Sequence, residues 1–163
     1  MPNKKRLYWD SDVFISYFEQ NPTRIATIDD LLEQSKRGEV EIVTSTLTVV
    51  EVAFTVGERT TGLDPNHEAA MDSFWSDNDV VTLVELSMPI ARGARSLMRY
   101  AMSQGLKLKP PDAIHLASAT LLSASELHSY NFSDFDKFEP QSGVKAMEPY
   151  VVQGTLGLTG GTT

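Results

Sequence analysis

The stretch that decides the fold is LYWDSDVFISYF, residues 7–18. It opens with three large apolar residues, as expected of a strand buried on both faces of a parallel sheet. The run stops at Asp10, a second carboxylate follows at Asp12, and the apolar residues after it recur at helical steps. A buried strand that turns at once into a helix places Asp10 at the carboxyl edge of a sheet, where ligands bind in open α/β folds.

The composition predicts one ordinary globular domain. A chain of 163 residues is long enough to build its own hydrophobic core. Because it has no cysteine, disulfides, cysteine-ligated zinc and thiol nucleophiles are excluded. The basic start at residues 1–6 precedes an apolar run that Asp10 and Asp12 interrupt, so we predict neither a signal peptide nor a membrane span. We therefore expect a cytoplasmic protein with no membrane partner.

Helical and strand-like patterns alternate along the rest of the chain. Helices are predicted at residues 23–37, 47–56, 64–75, 88–103 and 112–123, strands at 41–44, 79–84, 126–130 and 150–152, and a turn at 131–138. This alternation implies crossover connections, hence a three-layer α/β/α fold around a central parallel sheet of four to five strands. The domain is expected to span residues 1–152, and the Gly/Thr-rich tail of residues 153–163 to be disordered.

Charge is distributed unevenly. The net charge of −8 alone argues against a nucleic-acid partner. Yet residues 86–111 contain no acid and carry five basic side chains: Arg92, Arg95, Arg99, Lys107 and Lys109. The three arginines lie three and four positions apart, which places them on one helix face. Two interpretations stay open: a face that binds RNA phosphates, or a solvated face that pairs with acids elsewhere.

Three acids occupy positions where acids are unexpected. Asp10 ends a buried strand, Glu51 has apolar neighbours on both sides, which predicts a largely buried segment, and Asp112 begins an alanine-rich helix after two prolines. A buried ionised carboxylate is costly unless it is paired or bound to a metal, and converging carboxylates need a cation between them. Singly, each has an ordinary explanation: a turn residue at Asp10, a solvated helix residue at Glu51, and a cap or first-turn acid at Asp112.

Four segments in order carry a family resemblance. They are YWDSDVFI (8–15), TSTLTVVEVA (44–53), PDAIHLASA (111–119) and SYNFSDF (129–135). Together they resemble the PIN-domain ribonucleases and, within them, the VapC-like toxins of toxin–antitoxin pairs. The resemblance covers residues 7–138, which is most of the chain.

The resemblance implies a metal-dependent endoribonuclease that hydrolyses RNA phosphodiesters. According to this resemblance, Asp10, Glu51 and Asp112 are catalytic metal ligands. The family's fourth polar ligand position falls on Asn131, and Asp134 is the nearby acid that could replace Asn131 as a ligand. Such an all-oxygen set selects Mg²⁺ or Mn²⁺. The family further implies an RNA substrate (tRNA, rRNA or mRNA), an antitoxin protein that blocks the site, and a homodimer. The large apolar residues Phe14, Tyr17, Phe18, Phe54, Phe74 and Trp75 could supply the dimer interface, although a core could also absorb them.

The chain departs from the family pattern at two positions, and a third has an open role. Asn131 brings no charge, and Asp12 replaces what is more often an uncharged polar residue, so it is either an added ligand or a first-turn acid. His115, one turn after Asp112, either orients that carboxylate or packs beside it.

Two other functions stay open. The first is a catalytically degenerate PIN-fold module that serves in binding or regulation, which Asn131 favours and metal affinity would test. A nuclease acting on DNA or flap structures is less favoured, because so short a chain shows no helical arch or helix-hairpin-helix region.

Overall fold

The computed structural model describes residues 4–77 and 79–153, and it confirms the predicted three-layer α/β fold. Five parallel strands form one sheet in the order β3-β2-β1-β4-β5. The strands are β1 (Lys5–Trp9), β2 (Val40–Ser45), β3 (Val81–Val84), β4 (Glu126–His128) and β5 (Lys145–Met147). The helices are α1 (Ser11–Phe18), α2 (Ile25–Lys36), α3 (Leu47–Glu51), α4 (Val56–Thr61), α5 (Pro65–Ser76), α6 (Met88–Ser103), α7 (Pro110–Leu121) and α8 (Glu139–Ser142). The tail predicted to be disordered lies, after Gln153, outside the described residues.

Strand β1 occupies the middle of the sheet, and Leu7, Tyr8 and Trp9 are all fully buried. Leu7 and Trp9 pack in the layer that contains α1 and α2, whereas Tyr8 packs in the opposite layer with α6 and α7. Strand β1 pairs with β2 on one side and with β4 on the other, so the strand order reverses between β1 and β4. The carboxyl ends of these two strands therefore border the crevice where a ligand is expected.

Helix α7 packs as closely as its small residues predict. Ala113 and Ala119 are fully buried, and a Cβ atom added to Gly93 of α6 would lie 3.3 Å from the Cβ of Ala117. The helix begins at Pro110, two residues earlier than predicted, so Asp112 lies in its first turn while Lys109 occupies the N-cap position.

The single helix predicted at residues 47–56 is wrong. Helix α3 ends at Glu51, and α4 begins at Val56 because Thr55 and Glu58 form a reciprocal capping box. Glu51 is consequently half-buried at a helix end, and its neighbour Val50 is 71% exposed. The prediction of a largely buried segment around Glu51 is therefore also wrong.

The last strand was predicted at residues 150–152, but it lies at Lys145–Met147. These residues pair with the whole of β4, from Glu126 to His128. Ala146 is the only buried residue of this strand, and the charged Lys145 precedes it, so the apolar signal of the strand is weak. The more apolar segment that follows Pro149 is not a strand. Its Tyr150 hydroxyl donates a hydrogen bond to the side chain of Glu126.

Of the aromatic residues that could supply a dimer interface, Phe14 lies in the core, and Tyr17, Phe18, Phe74 and Trp75 are half-buried against it. Ring centroids within the set Phe14, Tyr17, Phe18, Phe74 and Trp75 are separated by 5.1–6.0 Å. These rings pack against the layer that contains α1 and α2, and only Phe54 of the six is exposed. Over the described part of the chain, no helix is long and apolar enough to cross a membrane.

Candidate metal centre

Asp10 lies where strands β1 and β4 end together. Its backbone N–H donates to the carbonyl oxygen of His128 at 3.0 Å, and its Oδ1 accepts the N–H of Ser11 at 2.8 Å, which caps α1. Its Oδ2 accepts the hydroxyl of Ser129 at 3.1 Å. Burial raises the pKa of Asp10, and the charge of Glu51 adds to this, while His115 and Ser11 counteract it. Nearby positive charge would therefore stabilise this carboxylate.

Glu51 and His115 meet Asp10 at the same point. The Nε2 atom of His115 forms a short hydrogen bond with Oε1 of Glu51 and lies 3.4 Å from Oδ1 of Asp10. One ligand atom from each of these three residues lies within 4.8 Å of the other two. Burial alone would lower the pKa of His115, but the bond to Glu51 and the charges of Asp10 and Asp112 raise it overall.

Asp112 borders this group without belonging to it. It lies half-buried one turn before His115 on α7, and Asp134 lies exposed in a short 3₁₀ turn, Phe132–Asp134. Burial raises the pKa of Asp112, the charges of Asp134 and Glu51 raise it further, and His115 and Lys109 oppose them. Asp112 is thus close enough to both acids to interact with their charge.

Asp12 anchors the loop after β4. Its Oδ2 accepts hydrogen bonds from the Ser129 hydroxyl at 3.0 Å and from the backbone and side-chain nitrogens of Asn131, both at 3.1 Å. Its Oδ1 is buried with no hydrogen-bond partner among the described residues. Burial, with the charge of Asp10, raises the pKa of Asp12 to about 6. Asp12 is a first-turn acid of α1, one of the two roles left open by its sequence, and it also holds Asn131.

Sequence reasoning missed two side chains at this site, Tyr8 and Ser129. The Tyr8 hydroxyl accepts the N–H of Ser45 at 3.1 Å and lies 2.8 Å from Nδ1 of His115. Burial raises the pKa of Tyr8 further above its ordinary value of 10.0, so the phenol stays protonated. Both residues had a signal: Ser129 follows β4 as Asp10 follows β1, and Tyr8 is a hydroxyl in an otherwise apolar strand.

The predicted RNA-binding side chains are all exposed: Arg92, Arg95, Arg99, Lys107 and Lys109. Within residues 4–77 and 79–153 none of the five forms an ion pair, which disfavours the interpretation that they pair with acids elsewhere. Arg95 and Arg99 line an open groove of about 450 Å³ whose other walls are mainly apolar: Leu86, Ala91, Ala94, Met98, Met102, Pro110 and Ile114. RNA binding at this face stays a prediction.

Comparison with known proteins identifies similar folds. A family model described as PIN domain matches residues 7–139. The DNA-bound VapBC structure from Salmonella typhimurium matches with a TM-score of 0.70 and 13% identity, covering 88% of this chain and 98% of that one. A toxin–antitoxin complex from Klebsiella pneumoniae matches with a TM-score of 0.58 and 23% identity, and the match covers 90% of this chain and 99% of that one.

A third solved structure, VapC20 of Mycobacterium tuberculosis, is described as a sarcin–ricin loop cleaving toxin. It matches with a TM-score of 0.57 and 13% identity, covering 76% of this chain and 88% of that one. At such identities these structures are similar in fold. No curated protein sequence matches the chain.

Proposed function

The chain belongs to the PIN domain family, and from that premise we propose that it is a metal-dependent endoribonuclease acting as the toxin of a toxin–antitoxin pair. The observation that supports this most is the meeting of Asp10 and Glu51 at the carboxyl edge of the sheet, with Asp112 beside them. The three acids come from distant parts of the chain. Ionised carboxylates this close repel one another, and a divalent cation bound between them would relieve that repulsion.

The residues present fit a hard divalent cation. Carboxylate oxygens of Asp10, Glu51 and Asp112 would hold Mg²⁺ or Mn²⁺, with Asp134 as a further acid at the open side. The raised pKa of Asp10 and of Asp112 fits a site whose opposite charge is supplied on binding. A bound ion of this kind supplies Lewis-acid polarisation of a phosphodiester oxygen and activation of water.

Hydrogen bonds within the protein hold the residues of the site in place. The Ser11 amide and the Ser129 hydroxyl fix both carboxylate oxygens of Asp10, while Asp12 holds Asn131 next to them. Burial raises the pKa of Asp112, and a cation held by its carboxylate would lower that pKa again, so ion binding would favour the charged form that ligates.

The partners follow from the same proposal. The substrate is RNA, and the structures named as toxin–antitoxin and VapBC complexes support an antitoxin protein as a binding partner. The apolar groove along α6, where Leu86 is 50% and Met102 84% exposed, is the surface on which the second copy of a homodimer would pack. A monomeric mass by light scattering at micromolar concentration would argue against the dimer.

The decisive experiment is cleavage of tRNA and of rRNA that contains the sarcin–ricin loop, with Mg²⁺ or Mn²⁺. We expect activity that EDTA abolishes and that Asp10→Asn lowers by about 100-fold or more. Asp136→Asn is the matched control, since Asp136 is an exposed acid of a 3₁₀ turn outside the cluster. Cleavage that survives both EDTA and Asp10→Asn would refute the proposal.

One observation favours a second function, a binding module without activity. The fourth polar position is the neutral Asn131, and its side-chain nitrogen already donates to Asp12. A degenerate site would show no thermal stabilisation by Mn²⁺, whereas the nuclease requires it.

A further inference from the structure

We infer that Tyr8 and His115 are positioning residues that hold the Glu51 carboxylate in place beside Asp10, and that His115 is not itself a metal ligand. This inference rests on the function proposed above. It extends that function to two fully buried side chains, one on the central strand and one on α7.

The pair belongs to a chain of hydrogen bonds that crosses the sheet edge. The Ser45 N–H at the end of β2 donates to the Tyr8 hydroxyl at 3.1 Å, and this hydroxyl lies 2.8 Å from Nδ1 of His115. On the other side of the imidazole, Nε2 bonds Oε1 of Glu51 and lies 3.4 Å from Oδ1 of Asp10. Strands β1 and β2 and helix α7 are therefore linked to the carboxylate at the end of α3.

The donors and acceptors determine which nitrogen carries the hydrogen. The ionised Glu51 carboxylate can only accept, so its hydrogen bond with Nε2 requires a hydrogen on Nε2, and Nδ1 of the neutral ring is then the acceptor for the Tyr8 hydroxyl. In the doubly protonated ring Nε2 also carries a hydrogen. In both forms Nε2 donates to Glu51 and has no lone pair for a metal, although it lies within 4.8 Å of two acid oxygens.

Glu51 needs such a support more than Asp10 does. Asp10 accepts hydrogen bonds from Ser11 and Ser129 on either side, whereas the Glu51 side chain has His115 as its one hydrogen-bond partner among the described residues. Glu51 also ends a helix of only five residues. Without His115 the Glu51 carboxylate would sample several rotamers, and a metal ion would have to order it on binding.

The test is a double-mutant cycle read as Mn²⁺ affinity, measured by isothermal titration calorimetry on variants whose folding is checked by circular dichroism. Tyr8→Phe removes only the hydroxyl, and His115→Leu removes the donor to Glu51. We expect each to weaken Mn²⁺ binding by about 10- to 100-fold, the usual range for groups that orient metal ligands. The double variant should bind no more weakly than His115→Leu, because the hydroxyl acts through the imidazole.

His115→Gln and Tyr100→Phe complete the set. Glutamine keeps an N–H donor, so His115→Gln should recover part of the lost affinity, and adding Tyr8→Phe to it should change nothing. Tyr100→Phe removes a hydroxyl from a second tyrosine, which is half-buried and packs against the same core layer, and should leave Mn²⁺ binding unchanged. Wild-type affinity in Tyr8→Phe, or losses that multiply in the double variant, would overturn the inference.

A second measurement serves if His115→Leu does not fold. Imidazole ¹⁵N shifts of the metal-free wild type should show Nε2 protonated, and Tyr8→Phe should perturb the Nδ1 signal. A ring protonated only at Nδ1 would overturn the inference, since Nε2 would then be free to ligate.

The two proposals fail in different ways. If the double-mutant cycle gives the expected Mn²⁺ affinities but the protein cleaves no RNA, the proposed function is refuted and the positioning role of Tyr8 and His115 is supported. If the protein cleaves RNA but Tyr8→Phe leaves the Mn²⁺ affinity unaltered, the proposed function is supported and the positioning role is refuted. Absence of Mn²⁺ binding by the wild type would overturn both.

Discussion

Glu126 is a buried carboxylate with three partners from different parts of the chain. Its oxygens accept hydrogen bonds from Nε2 of His128 at 2.9 Å and from the Tyr150 hydroxyl at 2.7 Å, and Lys5 forms an ion pair with it. Burial by itself would raise the pKa of Glu126, but these hydrogen bonds outweigh it and hold the pKa at about 2. The contacts join the first strand, the fourth strand and the segment after β5.

The pKa of Glu126 predicts a pH-dependent contribution to stability. Because the folded pKa is depressed below the ordinary value of 4.5, the contribution is present above pH 4.5 and is lost as the pH falls toward 2. We expect Glu126→Gln to lower the free energy of unfolding at pH 7 by about 1 to 3 kcal/mol, since water near the partly exposed Tyr150 screens these charges. Urea denaturation at several pH values measures this.

The difference between Glu126→Gln and the wild type should shrink as the pH falls from 4.5 to 2. Glu139→Gln, at an exposed carboxylate of α8, should match the wild type throughout. An equal loss for Glu126→Gln at pH 7 and pH 2 would show that packing, not charge, stabilises this site.

Among the elements, the break between α3 and α4 matters most for the site, because it places Glu51 at a helix end. Thr55 Oγ1 accepts the Glu58 N–H at 3.1 Å, and Glu58 Oε2 accepts the Thr55 N–H at 2.9 Å. The other oxygen of Glu58 accepts the N–H of Asp64 at 3.0 Å, next to the start of α5. One buried side chain therefore ties α4 to the two segments that flank it.

We expect Thr55→Ala to lower the free energy of unfolding by about 1 to 2 kcal/mol, since it leaves the Glu58 N–H without its cap. Thr60→Ala is the matched control: Thr60 is exposed on the same helix, and its hydroxyl bonds only the carbonyl of Val56. That control should change stability by less than about 0.5 kcal/mol. Equal effects of the two substitutions in urea denaturation would count against the capping box.

For the whole molecule the uneven charge is the property that concerns function. A net charge of −8 repels RNA at long range, so the proposed RNA binding is expected to depend on residues 86–111, the stretch without an acid. Arg95 and Arg99 lie on the wall of an apolar groove, so the same face is a candidate for RNA binding and for a dimer contact.

Reversing Arg95 and Arg99 to glutamate tests the RNA-binding role. In an Asp10→Asn background, which keeps the RNA intact, we expect RNA binding to weaken by about 10-fold or more. The slope of log affinity against log salt should become shallower by about 1.4, as for two lost contacts to single-stranded phosphates. Reversal of Arg37 and Arg59, two exposed arginines outside this stretch, is the control and should leave that slope unchanged. An unchanged slope in the Arg95 and Arg99 variant would remove these residues from the RNA-binding face.

The amino-acid sequence by itself determined the class of fold and the order of its parts. The patterns that predicted them are local: an apolar run ending at Asp10, β-branched strands, and helices bounded by glycine and proline. Local patterns can be recognised without knowing which distant residues are in contact. These patterns gave wrong predictions where an element is short. The three residues of β5 lack a strong apolar signal, and a capping box divides the segment at residues 47–56 that was predicted to be one helix.

Only the tertiary structure decided how the site is assembled. Tyr8 and His115 are 107 residues apart in the chain, and Ser129 and Asp10 are 119 apart, yet both pairs are joined by hydrogen bonds. The family resemblance grouped Asp10, Glu51 and Asp112, but the packing of α7 against the sheet puts His115, rather than Asp112, between Glu51 and Asp10. Which side chains meet depends on the angles and distances between packed elements, and no local pattern encodes those.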